Sequence, residues 1–158
     1  MPVTIARTIG IPEWNSEIQQ EASAFWTKHG MTMSQDENSL SGHRGGLFAV
    51  LSSAKPSAMP ARLTITSLEI TKIDCVLKVS TALQIWCIWD KTAFELELSL
   101  FGHFLKTGNS KDEQWQSFVE AYQKHYWMAN LTGGLMGLTM SEKERRQFRA
   151  DIEITDDR

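Results

Sequence analysis

Apolar and polar positions recur along this chain with two distinct periods, and the changes of period mark its elements. In residues 2–9, Val3, Ile5 and Ile9 sit at mostly alternating positions with Thr between them, which predicts a first strand closed by Gly10 and Pro12. The spacing then lengthens. Trp14, Ile18, Ala22 and Phe25 fall at i, i+4, i+8 and i+11, so residues 13–29 read as an amphipathic helix that Gly30 stops. Glu13, Glu17 and Glu21 form an acidic stripe beside that face, near the favourable end of the helix dipole. A stripe of this kind reads first as a solvated face, and only second as a cation or partner site. Residues 31–35 and 39–43 read as two short strands around Asp36-Glu37-Asn38, and residues 47–51 as a candidate for another. Residues 52–61 read as a loop, because Pro56 and Pro60 each remove a backbone donor. The strongest alternation covers residues 62–89. Leu63 and Ile65 alternate with Thr64 and Thr66. After a turn near Thr71-Lys72, the residues Cys75, Leu77, Val79, Thr81, Leu83 and Ile85 share one face. Asp74, Lys78, Ser80 and Gln84 lie mostly on the other, the pattern of an antiparallel hairpin with one wet face.

Residues 93–101, AFELELSLF, satisfy both periods. Phe94, Leu96, Leu98 and Leu100 alternate as in a strand, whereas Phe94, Leu98, Phe101 and Leu105 make a helical stripe. Thr92-x-x-Glu95 forms a capping box, Lys106 and Gly108 supply a stop, and no β-branched residue occurs from 93 to 106, so the segment is predicted helical. The helix places Glu97 inside the apolar arc. Burying an unpaired carboxylate is expensive. Glu97 must therefore have a partner or line a cavity, or the segment is not a helix. Residues 112–128 read as a further helix, capped by Ser110 or Asp112, with Trp115, Phe118, Val119, Tyr122 and Tyr126 as its apolar stripe. It runs into the apolar segment 126–140, which holds Gly133, Gly134 and Gly137. Ser141-x-x-Glu144 is a second capping box, opening a short helix whose one large apolar residue is Phe148.

Hairpin-connected strands with helices near both ends predict an α+β fold: an antiparallel, curved β-sheet packed against helices as a two-layer sandwich. Residues 1–140 are expected to form one domain, followed by a short charged helix and acidic tail at 141–158. A chain of 158 residues can bury a core without a disulfide or metal. The 42% hydrophobic and 22% charged content is that of a globular chain. A net charge of −3 with no domain-sized basic face argues against nucleic acid as a partner. Cys75 and Cys87 read as buried free thiols, the N-terminus has no basic region leading into a long apolar run, and a cytoplasmic location is the expectation.

The chemistry-bearing residues are sparse. His29, His43, His103 and His125 lie in different segments with no metal-ligand spacing, so neither a metal nor a cofactor is expected. Glu97 with His103 or His125 is the one acid–base constellation, and it requires the late helices to converge. Gly42-His43-Arg44-Gly45-Gly46 reads as a β-turn, or as an anion site in which backbone amides and Arg44 hold a phosphate or carboxylate. Trp86, Trp89, Phe94 and Phe101 gather near one strand–helix junction with Glu97 beside them, which suggests a small apolar or amphipathic ligand between sheet and helices. The segment 126–140 has three readings: core packing, an oligomer interface or membrane contact. Trp127, Leu131 and the Gly133-x-x-x-Gly137 spacing are the interface candidates. As a helix the segment would span about 22 Å against a hydrocarbon core of roughly 30 Å, too short to cross. Trp127 and Tyr126 suit a headgroup level, but residues 141–158 carry five Lys or Arg against six Asp or Glu, which weakens attraction to anionic lipid. The functional expectation is a non-enzymatic interaction module that forms a homo-oligomer. Binding of an apolar ligand is the first alternative, and an enzyme built on Glu97 the second.

Overall fold

The computed structural model describes residues 3–46, 57, 59–80, 91–131 and 141–152. Five strands, β1 (Val3–Gly10), β2 (Thr32–Gln35), β3 (Ser39–Arg44), β4 (Ala61–Glu69) and β5 (Lys72–Val79), form one antiparallel sheet in the order β1-β5-β4-β3-β2. Among the described residues the helices are α1 (Ser16–Lys28), α2 (Lys91–Thr107), α3 (Asp112–Leu131) and α4 (Glu142–Ile152). The chain leaves β1 at one edge of the sheet and crosses through α1 to β2 at the other edge. It then returns strand by strand until β5 pairs with β1. This is the α+β class expected from the sequence.

The period-2 pattern sorts the sheet into two faces. Ile5, Ile9, Leu40, Leu63, Ile65, Ile73, Leu77 and Val79 are buried, while their strand neighbours Thr4, Thr8, Ser41, Thr64, Thr66 and Lys78 are exposed. The helices cover the apolar face. Within this layer Phe101 meets Phe25 and Trp26 at ring-centroid distances of 5.2 and 5.3 Å, and Phe25 stacks on Phe104 at 5.3 Å. Each such buried aromatic contributes about 1.5–3 kcal/mol relative to exposure. Gly102, on α2, leaves room for Ile9 of β1, whose side-chain carbons would lie 3.6–3.8 Å from a Cβ there. The outer helices tie to this layer through rings and charges. Trp115 lies 5.3 Å from His29, and Phe148 of α4 meets Phe118 of α3 edge-on at 5.3 Å. Lys28 at the end of α1 pairs with Asp112 at the start of α3.

Several boundaries differ from the sequence reading, each for a local reason. α1 begins at Ser16, not residue 13, because Asn15 Oδ1 accepts the Ile18 N–H (3.0 Å) and caps the helix. Residues 11–14 are held outside it: the amides of Ile11 and Trp14 donate to the carbonyls of Thr71 and Ile70 at the β4–β5 turn. Glu13 is therefore no part of the helical stripe. α2 starts at Lys91, so Thr92 lies within the helix and does not precede it. α3 is preceded by Lys111, not capped by Ser110 or Asp112. Lys111 is in the left-handed region (φ 46), its carbonyl accepts the Trp115 N–H, and its amide donates to Asn109 Oδ1. The expected capping box at α4 is present, with Ser141 Oγ accepting the Glu144 N–H at 3.2 Å and Glu144 Oε2 accepting the Ser141 N–H at 3.0 Å. The expected strand at 47–51 and the continuation of β5 through Thr81, Leu83 and Ile85 lie outside the described residues.

Candidate functional site

Two polar sites sit back to back on the sheet. The first is buried between its layers. Arg44 is the last residue of β3, and the alternation turns its side chain toward the helices. Its neighbours in that inward row are small: Gly42 two positions back, and Ala61 directly across on β4. They leave space for a guanidinium to rise to α2, where Glu97 points down from the apolar arc. The two residues form a forked pair, with Arg44 Nη1 donating to Glu97 Oε1 and Nη2 to Oε2 (2.8 Å). Arg44 Nη1 also donates to the His29 carbonyl at the C-terminus of α1 (2.9 Å), a placement that suits the helix dipole. His29 Nδ1 lies 3.3 Å from Glu97 Oε1, and its ring stacks on Phe25 at 4.3 Å. All three side chains are buried. The helix reading of 93–106 left Glu97 either a partner or a cavity to line, and Arg44 is its partner.

Burial by itself would raise the Glu97 carboxyl. The Arg44 charge, its two hydrogen bonds and the His29 contact more than offset this and hold the pKa down at about 2. A carboxylate of that kind has no proton to give near neutrality, and both its oxygens are already engaged. That is poor equipment for general acid–base work. The cluster joins one strand and two helices, and its chemistry is that of a structural ion pair.

The second site is on the opposite, open face. An open groove of about 1010 Å³ runs over β2–β5. Its floor is set by register. Thr32 faces His43, His43 faces Arg62, Arg62 faces Lys78, and Lys78 faces Thr4, which makes one row across all five strands. The adjacent row carries Ser34, Ser41 and Thr64. His43, Arg62 and Lys78 are exposed, and none of the described residues lining the groove is acidic. Among the described residues none of these three side chains makes an ion pair.

His43 and Arg44 thus serve different sites although they are adjacent, because consecutive strand residues point to opposite faces. Residues 39–44 continue as strand, and the left-handed glycine, Gly45 (φ 74), comes only after Arg44. Phe94 is wholly buried in the helical layer. Trp86 and Trp89 lie outside the described residues. His103 is six positions from Glu97 on α2, which sets the two directions about 120° apart around the helix axis. His125, Trp127 and Leu131 belong to α3, and Gly133 and Gly137 lie outside the described residues. Cys75 is buried and free. Burial, with the Asp74 charge beside it, pushes its thiol up to about 12, so it is no nucleophile. Among the described residues no group of His, Cys, Asp and Glu is placed to hold a metal, and no helix is long and apolar enough to cross a membrane.

Sequence reasoning missed His29, Arg62 and Lys78. The last two had a signal, since both occupy polar positions of the alternating strands. Their juxtaposition had none. A plain two-residue turn at Ile70-Thr71 continues the pairing of Glu69 with Lys72 and would set Arg62 against Val79. The bulge between Ser67 and Glu69 shifts the register by one, and Arg62 meets Lys78. Compared with protein-family models, curated proteins and solved structures, the chain matches none.

Proposed function

We propose that this protein is a non-enzymatic binding module that receives its ligand on the open face of the sheet. The groove over β2–β5 carries the reading: it is roomy, lined by hydroxyls and by Arg62 and Lys78, which make no ion pair among the described residues, and backed by the five-stranded sheet. The buried His29–Arg44–Glu97 cluster supports the non-enzymatic part, since both Glu97 oxygens and both terminal nitrogens of Arg44 are spent within it. A reducing, cytoplasmic setting fits the free buried thiol of Cys75. The test is amide chemical-shift mapping of the full chain against a panel of small anions, amines and neutral apolar compounds. Compounds that bind are expected to shift the amides of Ser41, Arg62 and Thr64. Shifts confined to the helical layer, or none from any compound, would overturn the reading.

Self-association is a second part of the proposal. α3 continues as helix to Leu131, so Trp127 and Leu131 lie one turn apart on it, as an association surface in 126–140 requires. Sedimentation of the full chain is expected to give a dimer or larger, and Trp127→Glu with Leu131→Glu is expected to give a folded monomer. A monomeric parent chain would end this part.

A further inference from the structure

The open face carries an arrangement that the stability of the sheet does not explain. Arg62 and Lys78 stand directly opposite each other on β4 and β5, and His43 stands opposite Arg62 on β3. Like charges directly opposite on neighbouring strands are destabilising. A structural account would place a carboxylate among them, yet none of the described residues lining the groove is one. The outward carboxylate on β5 is Asp74, four residues from Lys78 and so about 13 Å along the strand. The charges are therefore concentrated. Neighbouring strands lie roughly 4.8 Å apart, which puts the three backbone positions within about 10 Å.

We propose that this row binds a compact ligand bearing two or more phosphoryl groups. The inference rests on the reading of the open face as the binding face, and it names the ligand chemistry. Arg62 supplies a planar fork that matches phosphate oxygens, and Lys78 supplies a point charge one strand away. His43 donates an N–H even when its imidazole is neutral. Thr32 and Thr64 add hydroxyl donors at the margins of the row. The ligand is short because the described lining holds no further free cation beyond the row: Arg44 also borders the groove, but its guanidinium is committed to Glu97 on the other face. Among the described residues no aromatic side chain lines the groove, so they offer bases nothing to stack on, which disfavours a nucleic-acid strand. The surrounding protein has a net charge of −3, so attraction is confined to the row and does not extend over the surface.

The experiment is calorimetric titration of the full chain with inorganic tripolyphosphate, using tricarballylate as a carboxylate control. Tripolyphosphate is expected to bind and tricarballylate to bind at least tenfold more weakly. Arg62→Gln and Lys78→Gln are each expected to lower the tripolyphosphate affinity about tenfold or more, equivalent to about 1.4 kcal/mol. Lys72→Gln, at the far end of β5, is expected to leave it unchanged. These are exposed positions, and circular dichroism checks that each variant is folded. Absence of binding, or binding indifferent to Arg62→Gln and Lys78→Gln, overturns the proposal. If tripolyphosphate fails while a carboxylate or amine of the panel still shifts the Ser41 and Thr64 amides, the phosphoryl assignment falls and the binding face stands. If no compound shifts them, both fall. A parallel arm distinguishes the source of the phosphoryl groups. Flotation with phosphatidylcholine vesicles containing phosphatidylinositol bisphosphate selects a lipid headgroup, and binding of tripolyphosphate without flotation selects a free ligand.

Discussion

Arg44 and Arg62 are the same residue type on neighbouring strands of one sheet, and they live in opposite chemical worlds. Arg44 faces the helices, is 4% exposed, and spends its terminal nitrogens on Glu97 and the His29 carbonyl. Arg62 faces outward and stands beside Lys78 and His43, with no carboxylate among the described residues that line the groove. Burial explains the difference. A charge taken out of water must be matched, because desolvation costs several kcal/mol. A charge left in water can stay unmatched at a cost of a few tenths of a kcal/mol. The inner arginine is therefore bound by stability, and the outer one is free to serve a ligand.

The largest expected effect tests the inner half of this contrast. Glu97→Ala leaves Arg44 buried without its partner and is expected to cost about 3–5 kcal/mol in denaturant unfolding. Arg44→Met combined with Glu97→Leu removes both charges, and is expected to lose far less than either charge removed alone. If the double variant is as unstable as Glu97→Ala, the cluster contributes by shape and not by charge matching.

The pH dependence is next in size. The folded Glu97 has a pKa of about 2 against an ordinary value of 4.5, so the unfolded chain binds the proton more tightly. Its contribution, roughly 3 kcal/mol, is present in full above pH 4.5 or so and is lost as the pH falls through about 2. Acid unfolding of Glu97→Gln is expected to show a correspondingly shallower slope. An unchanged slope would mean that other carboxylates govern the acid limb.

A smaller effect separates adjacent residues of β3. Gly42 faces inward, where an added Cβ would meet Met33 Sδ at 2.5 Å. Ser41 faces the groove. Gly42→Ala is expected to cost about 1 kcal/mol, as the flexible Met33 side chain must give way. Ser41→Ala is expected to stay within about 0.5 kcal/mol. Equal costs measured by thermal unfolding would contradict the division of faces at this strand.

The smallest effect has the opposite sign. Arg62→Gln relieves a like-charge opposition and is expected to stabilise the fold slightly, by about 0.2–0.5 kcal/mol, while weakening anion binding. A clear loss of stability would show that Arg62 has a structural role.

Much of the architecture was legible in one dimension. The strands announced themselves by alternation at Val3, Ile5 and Ile9 and at Cys75, Leu77 and Val79. α4 announced itself by the reciprocal capping of Ser141 and Glu144. The ambiguous segment 93–106 was resolved toward helix by its capping-box pattern, its stop and its lack of β-branched residues, and that reading carried the demand that Glu97 have a partner or line a cavity. Where a boundary slipped, as at Glu13, the Asn15 cap and the hydrogen bonds of Ile11 and Trp14 to the remote β4–β5 turn decided the matter.

The sequence by itself determined which residues would be inside and which outside, and that one buried carboxylate had to be answered. These follow from local periodicity and from the cost of desolvation. Only the tertiary structure decided who answers it: Arg44 lies 53 positions away in the chain. It also decided that His43, Arg62 and Lys78 form one row. Both outcomes depend on strand order and register, and the register of β4 on β5 turns on a single bulge at Ser67 and Glu69. A period reports the face on which a side chain lies. It carries no information about which residue of another strand lies opposite.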